Sequence, residues 1–179
     1  MKLEKVGRQP HDLPEISSNK LLLLLSDTFK LPGTLVRWDY YRKQPQVPLN
    51  VCVWRKIEDQ KYQLIDYNEL TPGVIDFQTR EIDDNEQIEV QSGDIIGVFY
   101  SRYCISGAIA TASDAKSAGK DALNEVVEVD LYEEDLSPGD VVDLTSVPHR
   151  FHNMAVALQA NIKVAEEKVW SADFRSNYF

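Results

Sequence analysis

The residue types that most often carry chemistry are few in this chain and are spread along it. Of its three histidines, His149 and His152 are three residues apart, which places them on opposite faces of a strand and excludes a shared metal ion. The sequence contains no Gly-x-Ser-x-Gly motif, no phosphate-binding loop and no dinucleotide-binding fingerprint. We therefore predict no catalytic residues and a protein that is not an enzyme.

A cluster of carboxylates is the strongest candidate for a metal site. Asp83, Asp84 and Glu86 lie close together in the sequence, and carboxylate oxygens are ligands that Ca²⁺ prefers. The Asp-x-Asp-x-Asp-Gly pattern of calcium loops is missing, so a solvated acidic loop is the alternative. The sequence thus indicates no cofactor other than Ca²⁺ at this cluster.

The two cysteines, Cys52 and Cys104, each lie in an apolar, strand-like stretch. A disulfide between two strands would fit a secreted protein, whereas two buried free thiols would behave as small apolar residues. The sequence alone leaves both alternatives open. Because both stretches resemble core strands, neither thiol is expected to act as a nucleophile.

Aromatic side chains form the candidate ligand-binding surface. Trp38, Tyr40 and Tyr41 are close together in the sequence, and Tyr103 lies in a later strand-like segment. Exposed rings on a β-sandwich stack against sugars or peptide side chains, so we predict that these four residues bind a ligand. The alternative is that they belong to the core, since Trp38 and Tyr40 share one face of a strand.

Short β-strands are the elements that must position these residues. Turn residues recur at intervals of roughly 8–12 residues, and long helical periodicity is missing, which predicts an all-β, antiparallel, jelly-roll-like sandwich. The predicted strands are Leu21–Leu25, Thr34–Tyr41, Leu49–Arg55, Tyr62–Tyr67, Val74–Gln78, Gln87–Gln91, Ile95–Tyr100, Tyr103–Ala108, Glu125–Leu131, Val141–Leu144 and Phe151–Ile162. The Leu21–Leu25 run is read as a fully buried strand, because a membrane-spanning helix needs about 20 residues.

The length of 179 residues fits one domain. We predict a loose lead-in over residues 1–19, a sandwich domain over 20–165 and an aromatic C-terminal tail over 166–179. The net charge is −10, and residues 58–143 hold 21 acidic and five basic side chains. Such a surface repels a phosphate backbone, which argues against nucleic acid, and it attracts cations or basic partners. A merely solvated acidic surface is the alternative.

Four stretches together resemble a known kind of module. Gly33–Tyr41, Val51–Arg55, Tyr62–Ile65 and Ile88–Gly97 resemble a β-sandwich module of secreted and surface proteins of marine invertebrates. The resemblance covers roughly residues 30–105 and contains no catalytic motif, and Lys56 stands where that module often has proline. It implies a sandwich fold and an extracellular or cell-surface location, without assigning an activity to any residue.

These observations predict a non-enzymatic extracellular interaction module that binds a protein or glycan partner, for example in cell adhesion, without inserting into a membrane. The loops Gln78–Glu86 and Ser113–Gly119 are the expected rim of its site. One alternative is a homo-oligomeric structural subunit of a polymer or coat, joined through an edge strand or the C-terminal tail. Another is a sugar-active enzyme on a jelly-roll scaffold, which requires two carboxylates facing each other across a cleft.

Overall fold

The computed structural model describes residues 2–114 and 123–166, and this part of the chain is all-β. Its fourteen strands are β1 (Leu3–Gly7), β2 (Glu15–Ile16), β3 (Leu21–Thr28), β4 (Gly33–Arg42), β5 (Leu49–Glu58), β6 (Lys61–Leu70), β7 (Asp76–Glu81), β8 (Ile88–Val90), β9 (Ile95–Phe99), β10 (Ala110–Ala112), β11 (Asn124–Val129), β12 (Val141–Asp143), β13 (His149–Val156) and β14 (Leu158–Val164). Short 3₁₀ turns occupy residues 84–86 and 133–135. No helix of the described residues is long and apolar enough to cross a membrane.

Two antiparallel sheets pack together, which confirms the predicted β-sandwich; the jelly-roll topology stays a prediction. The smaller sheet has the order β1-β14-β4-β7, with β8 also paired to β4. The larger sheet has the order β12-β6-β5-β9-β3-β11-β13-β10-β2. The chain passes from the larger to the smaller sheet at Ala157, whose N–H donates to Ala110 and whose carbonyl accepts from Tyr41.

The main core lies between the two sheets and is built from the inward face of each. Trp38 and Tyr40 of β4 face Val51 and Val53 of β5 in the same buried cluster. The indole of Trp38 keeps a polar partner there, because its Nε1 donates to Oδ1 of Asn68 at 2.9 Å. Burying this much apolar area is the main favourable contribution to folding.

A second core covers the outer face of the larger sheet. Residues 131–148, here called the covering segment, contain the edge strand β12 and contribute Leu136 and Leu144 to a buried cluster that also contains Leu21 and Leu23 of β3. Leu22 and Leu24 face the main core, so Leu21–Leu24 are buried from both sides of the sheet. The fully buried strand predicted from the leucine run is therefore confirmed for these four residues, and Leu25 is half-buried.

The N-terminal region is more ordered than the predicted loose lead-in. All five residues of β1 pair with β14, from Leu3 opposite Lys163 to Gly7 opposite Gln159. Strand β2 pairs with β10 at the edge of the larger sheet. That prediction was wrong because β1 is held by a partner about 155 residues away, which no local pattern reveals. The predicted loop at 115–119 and the C-terminal tail from residue 167 lie outside the described residues.

Candidate functional site

The segment Ser101–Ser106 connects β9 to β10 and is called here the β9–β10 loop. Tyr103–Ala108 was predicted to be a strand, but these residues form the loop and its return toward β10. Tyr103 is 83% exposed and Ile105 is fully exposed, more than any other large hydrophobic side chain of the described residues. Cys104, between them, is partly buried and packs against the main core. The loop therefore presents two hydrophobic side chains to solvent.

Hydrogen bonds from two other parts of the chain hold the backbone of this loop. Asn19 Nδ2 donates to the carbonyl of Cys104 at 2.8 Å. The carboxylate of Glu134 accepts from the Ser101 hydroxyl and from the backbone N–H of Arg102, at 3.2 Å to each oxygen. The loop is thus fixed on one side by the turn before β3 and on the other by the covering segment.

The residues at both ends of the loop form hydrogen bonds with Ser17. The hydroxyl of Tyr100, just before the loop, lies 3.0 Å from the Ser17 hydroxyl and also accepts from Ile109 N–H. Gly107, just after it, donates to the Ser17 carbonyl at 2.9 Å. A Cβ at Gly107 would collide with Ser17 and with the Ser18 carbonyl, so the chain can return this closely only at a glycine.

A negatively charged border lies beside the loop. Burial first, and then the nearby Glu69 and Glu134, raise the pKa of Glu133, while a hydrogen bond from Asn50 opposes this shift. The pKa of Glu134 is lowered, chiefly by its hydrogen bond from Ser101. Glu134 contacts the loop directly, and Glu133 lies near both Glu134 and Glu69, so these three glutamates form one acidic edge beside the loop.

The one basic side chain of the loop, Arg102, is already engaged. Its Nη2 donates to Oδ1 of Asp135 at 2.7 Å, and its guanidinium lies 5.6 Å from the ring centre of Tyr132. These contacts neutralise Arg102 locally and hold its side chain against the covering segment. Arg102 is therefore paired within the chain, and the residues Glu133 and Glu134 lie beside it.

The acidic border continues into a groove of about 400 Å³. Its lining residues are Asp66, Tyr67, Asn68, Glu69, Asn85, Glu86 and Pro138. Glu69 belongs both to this groove and to the border of the loop, and none of the groove's lining residues within 2–114 and 123–166 is basic. The negative surface thus extends from the β9–β10 loop along β6 to the turn at Glu86.

Of the four aromatic residues predicted to bind a ligand, only Tyr103 lies on an open surface. Trp38 and Tyr40 are 0% and 1% exposed between the sheets, so the prediction was wrong for them and the core alternative is correct. Alternation places both on one face of β4, but it does not say that this face is the inner one. Tyr41 lies on the other face and packs partly against a small alanine-rich cluster that includes Leu13.

The predicted calcium ligands Asp83, Asp84 and Glu86 are all exposed. Asp84 accepts from Gln87 Nε2 at 3.2 Å, and only Glu86 lines the acidic groove. Within residues 2–114 and 123–166, no group of three or more His, Cys, Asp or Glu side chains could hold a metal ion. A calcium ion at Asp83, Asp84 and Glu86 therefore stays a prediction, beside the alternative of a solvated acidic loop.

Both cysteines are free thiols, so the disulfide alternative was wrong. Cys52 is buried in the second core and accepts from Trp54 Nε1 at 3.0 Å, whereas Cys104 packs against the main core. The larger sheet therefore separates the two sulfur atoms. Burial raises the pKa of both thiols, and Glu133 and Glu134 add to the effect at Cys104, so the nucleophilic thiolate is disfavoured at both positions.

The two neighbouring histidines lie on opposite faces of β13, as predicted. His149 pairs with Val129, which faces the second core, and His152 pairs with Val126, which faces the main core. His152 Nε2 lies 3.7 Å from Glu128 instead of sharing a site with His149. A cavity of about 230 Å³ beside His149 contains both acidic and basic side chains, including Lys20 and Asp130.

No protein-family model matches the chain, and neither a curated protein nor a solved structure matches it significantly.

Proposed function

We propose that the protein is a non-enzymatic interaction module that binds a protein partner through the β9–β10 loop. The exposure of Tyr103 and Ile105 on a backbone held by hydrogen bonds supports this proposal. Binding energy at interfaces concentrates in a few aromatic and aliphatic anchors that enter a pocket of the partner. A loop that is already ordered loses less entropy on binding, which favours its use as such an anchor.

The acidic border indicates the chemistry of the partner. Glu133 and Glu134 contact the base of the loop that carries the anchors, and Glu69 lies near Glu133, so a complementary surface has an apolar pocket edged with lysine or arginine. Charges at such a rim mainly accelerate association and fix the orientation of the complex. The extracellular location of this module is supported by the sequence resemblance alone, because the two cysteines are unbonded.

A protein partner is favoured over a glycan by the side chains on the loop. Sugars stack on flat aromatic rings, and Tyr103 is the only ring of the predicted set that is largely exposed. Its neighbour Ile105 has no flat face and no hydrogen-bonding group. Such a pair fits an apolar pocket of a protein better than the hydroxyl-rich surface of a sugar.

The sugar-active alternative has weaker support. It requires two carboxylates across a cleft, and Glu69 and Glu133 are close enough for Glu69 to raise the pKa of Glu133. Of these two, only Glu69 lines the acidic groove. Glu133 instead accepts from Asn50 and donates its backbone N–H to the Tyr100 carbonyl, which places it at the base of the loop.

A subtractive peptide selection tests the proposal. A phage-displayed random peptide library is panned on the full chain after depletion on a Tyr103→Ser/Ile105→Ser variant. We expect enrichment of peptides that have an apolar centre flanked by Lys or Arg. The matched control is Ile57→Ser/Phe151→Ser, which removes two exposed hydrophobic side chains elsewhere on the surface and should keep the binding.

Two outcomes would overturn the proposal. The first is that every enriched peptide binds the loop variant as well as it binds the unmodified chain. The second comes from a glycan array probed in parallel: binding of a sugar that is lost in the loop variant would assign the loop to a glycan instead of a protein.

A further inference from the structure

Among the residues that the structure describes, no strand pairs with the outer edge of β7 in the smaller sheet. Strand β7 is the last strand in the order β1-β14-β4-β7. With six residues it is also longer than the other strands at the ends of the two sheets, which have five residues in β1, three in β12 and two in β2. Val74 and Ile75, just before it, and Phe77 within it are exposed hydrophobic side chains. An exposed edge with apolar side chains is a template for pairing with another strand.

Hydrogen-bond alternation shows which backbone groups of β7 face outward. Ile82, just after β7, donates to the carbonyl of Val36 in β4 at 2.9 Å, so Arg80 and Gln78 also bond toward β4. Phe77, Thr79 and Glu81 therefore direct their N–H and C=O groups away from the sheet. The N–H of Phe77 confirms this direction, because it donates to the carboxylate of Asp76 at 2.7 Å.

We propose that two copies of the chain pair antiparallel through β7, with Gln78 of each copy on the two-fold axis. Outward-facing residues must lie opposite each other, and this register places Phe77 opposite Thr79 of the second copy. It also places Asp76 opposite Arg80 of the second copy, and the symmetry forms this oppositely charged pair twice. The partner is therefore a second copy, chosen by charge complementarity.

The neighbouring registers lack this complementarity. Centring the pair on Phe77 places Asp76 opposite Gln78 and leaves Arg80 opposite Val74. Centring it on Thr79 places Phe77 opposite Glu81 and Asp76 opposite Ile82. Moving the two-fold axis by one residue in either direction therefore loses both charge pairs.

Pairing changes the hydrogen-bond partners of the Phe77 N–H and of the Asp76 carboxylate, which bond to each other in the single chain. In the single chain Asp76 accepts from its own neighbour, Phe77 N–H. In the pair that N–H donates to the Thr79 carbonyl of the second copy, which frees the Asp76 carboxylate for Arg80. Arg80 keeps its bond from Nη2 to the Thr71 hydroxyl, at 3.1 Å, and offers its remaining N–H groups. The contact between the two β7 strands does not involve the β9–β10 loop. The proposed dimer and the proposed binding of a protein partner can therefore each fail without the other.

Charge reversal tests the register. Sedimentation equilibrium of the full chain over a range of concentrations should show the mass rising from 20.4 kDa toward twice that value. Asp76→Arg and Arg80→Asp should each weaken association by about tenfold or more, since each creates two like-charged pairs. The double variant Asp76→Arg/Arg80→Asp should restore it. A monomer at all concentrations, or no restoration in the double variant, would overturn the proposal.

A cysteine trap gives a second readout. In the proposed pair the Cα atoms of the two Gln78 residues lie about 4.5 Å apart, within the range that a disulfide bridges. Gln78→Cys in a Cys104→Ser background should therefore form a covalent dimer under mild oxidation. Thr79→Cys in the same background is the matched control, because position 79 faces 77 and should stay monomeric. Equal crosslinking of both variants, or of neither, would contradict the register.

Discussion

Replacing Asn19 with alanine removes the side chain that holds the tip of the β9–β10 loop on the side of β3. Asn19 Nδ2 donates to the Cys104 carbonyl at 2.8 Å, and to the Arg102 carbonyl at 3.5 Å, a distance at which the bond is weak. One good hydrogen bond contributes about 1 kcal/mol. A free-energy change of about 1.4 kcal/mol alters an equilibrium constant tenfold. Loss of about 1 kcal/mol should therefore raise the fraction of molecules with an open loop about fivefold.

Hydrogen exchange measures this opening directly. The amide of Cys104 donates to the Ser101 carbonyl at 3.1 Å and should exchange about fivefold faster in the variant. The midpoint of global thermal unfolding should change little, because both cores are untouched. Asn153→Ala, at an exposed position of β13, is the control and should leave the exchange of Cys104 unchanged. Unchanged exchange in Asn19→Ala would refute the argument that this bond orders the loop.

Three further substitutions test the surroundings of the loop. Asn68→Ala leaves the buried Trp38 indole without an acceptor and should cost about 1–3 kcal/mol in urea unfolding; no loss would contradict the bond. Leu23→Ala should cost about 2–5 kcal/mol in the same assay if the covering segment buries it, and under 1 kcal/mol otherwise. The raised pKa of Glu133 means that its ionisation destabilises the fold. Glu133→Gln should therefore raise the melting temperature at pH 7, and this gain should disappear below the ordinary glutamate pKa; a pH-independent gain would refute the shift.

The strands that the sequence predicts best are those whose burial is the same on both faces. The leucine run of β3 predicts a buried strand without any decision about which side faces inward. The apolar residues on both sides of Leu49–Arg55 predict a central strand in the same way, and β5 lies between β6 and β9. In both cases the local pattern contains all the information that the strand assignment needs.

Predictions that required a choice of face or a break in a strand were less successful. Trp38 and Tyr40 share a face, but only the position of β5 opposite them makes it the inner face. Phe151–Ile162 was predicted as one strand and forms two, because Ala157 bonds to β10 with its N–H and to β4 with its carbonyl. That division depends on the relative positions of the two sheets, which no local periodicity contains.

The candidate site was partly visible in the sequence. Tyr103 was predicted to bind a ligand, but it was placed in a strand because apolar Tyr103 and Ile105 alternate with other residues. The contacts that make this segment a loop come from Asn19 and Glu134, which are distant in sequence. The available signal was the turn-forming Ser106–Gly107 pair, which ends the supposed strand early.

The most direct test of the central claim is a titration of the strongest peptide obtained from the subtractive selection, measured by isothermal calorimetry. Tyr103→Ser/Ile105→Ser should weaken its binding to the full chain by about thirtyfold or more, the effect expected when interface anchors worth 2 kcal/mol or more are lost. The control variant Ile57→Ser/Phe151→Ser should bind with unchanged affinity. If both variants bind the peptide equally well, the β9–β10 loop is not the recognition site and the proposed function is wrong.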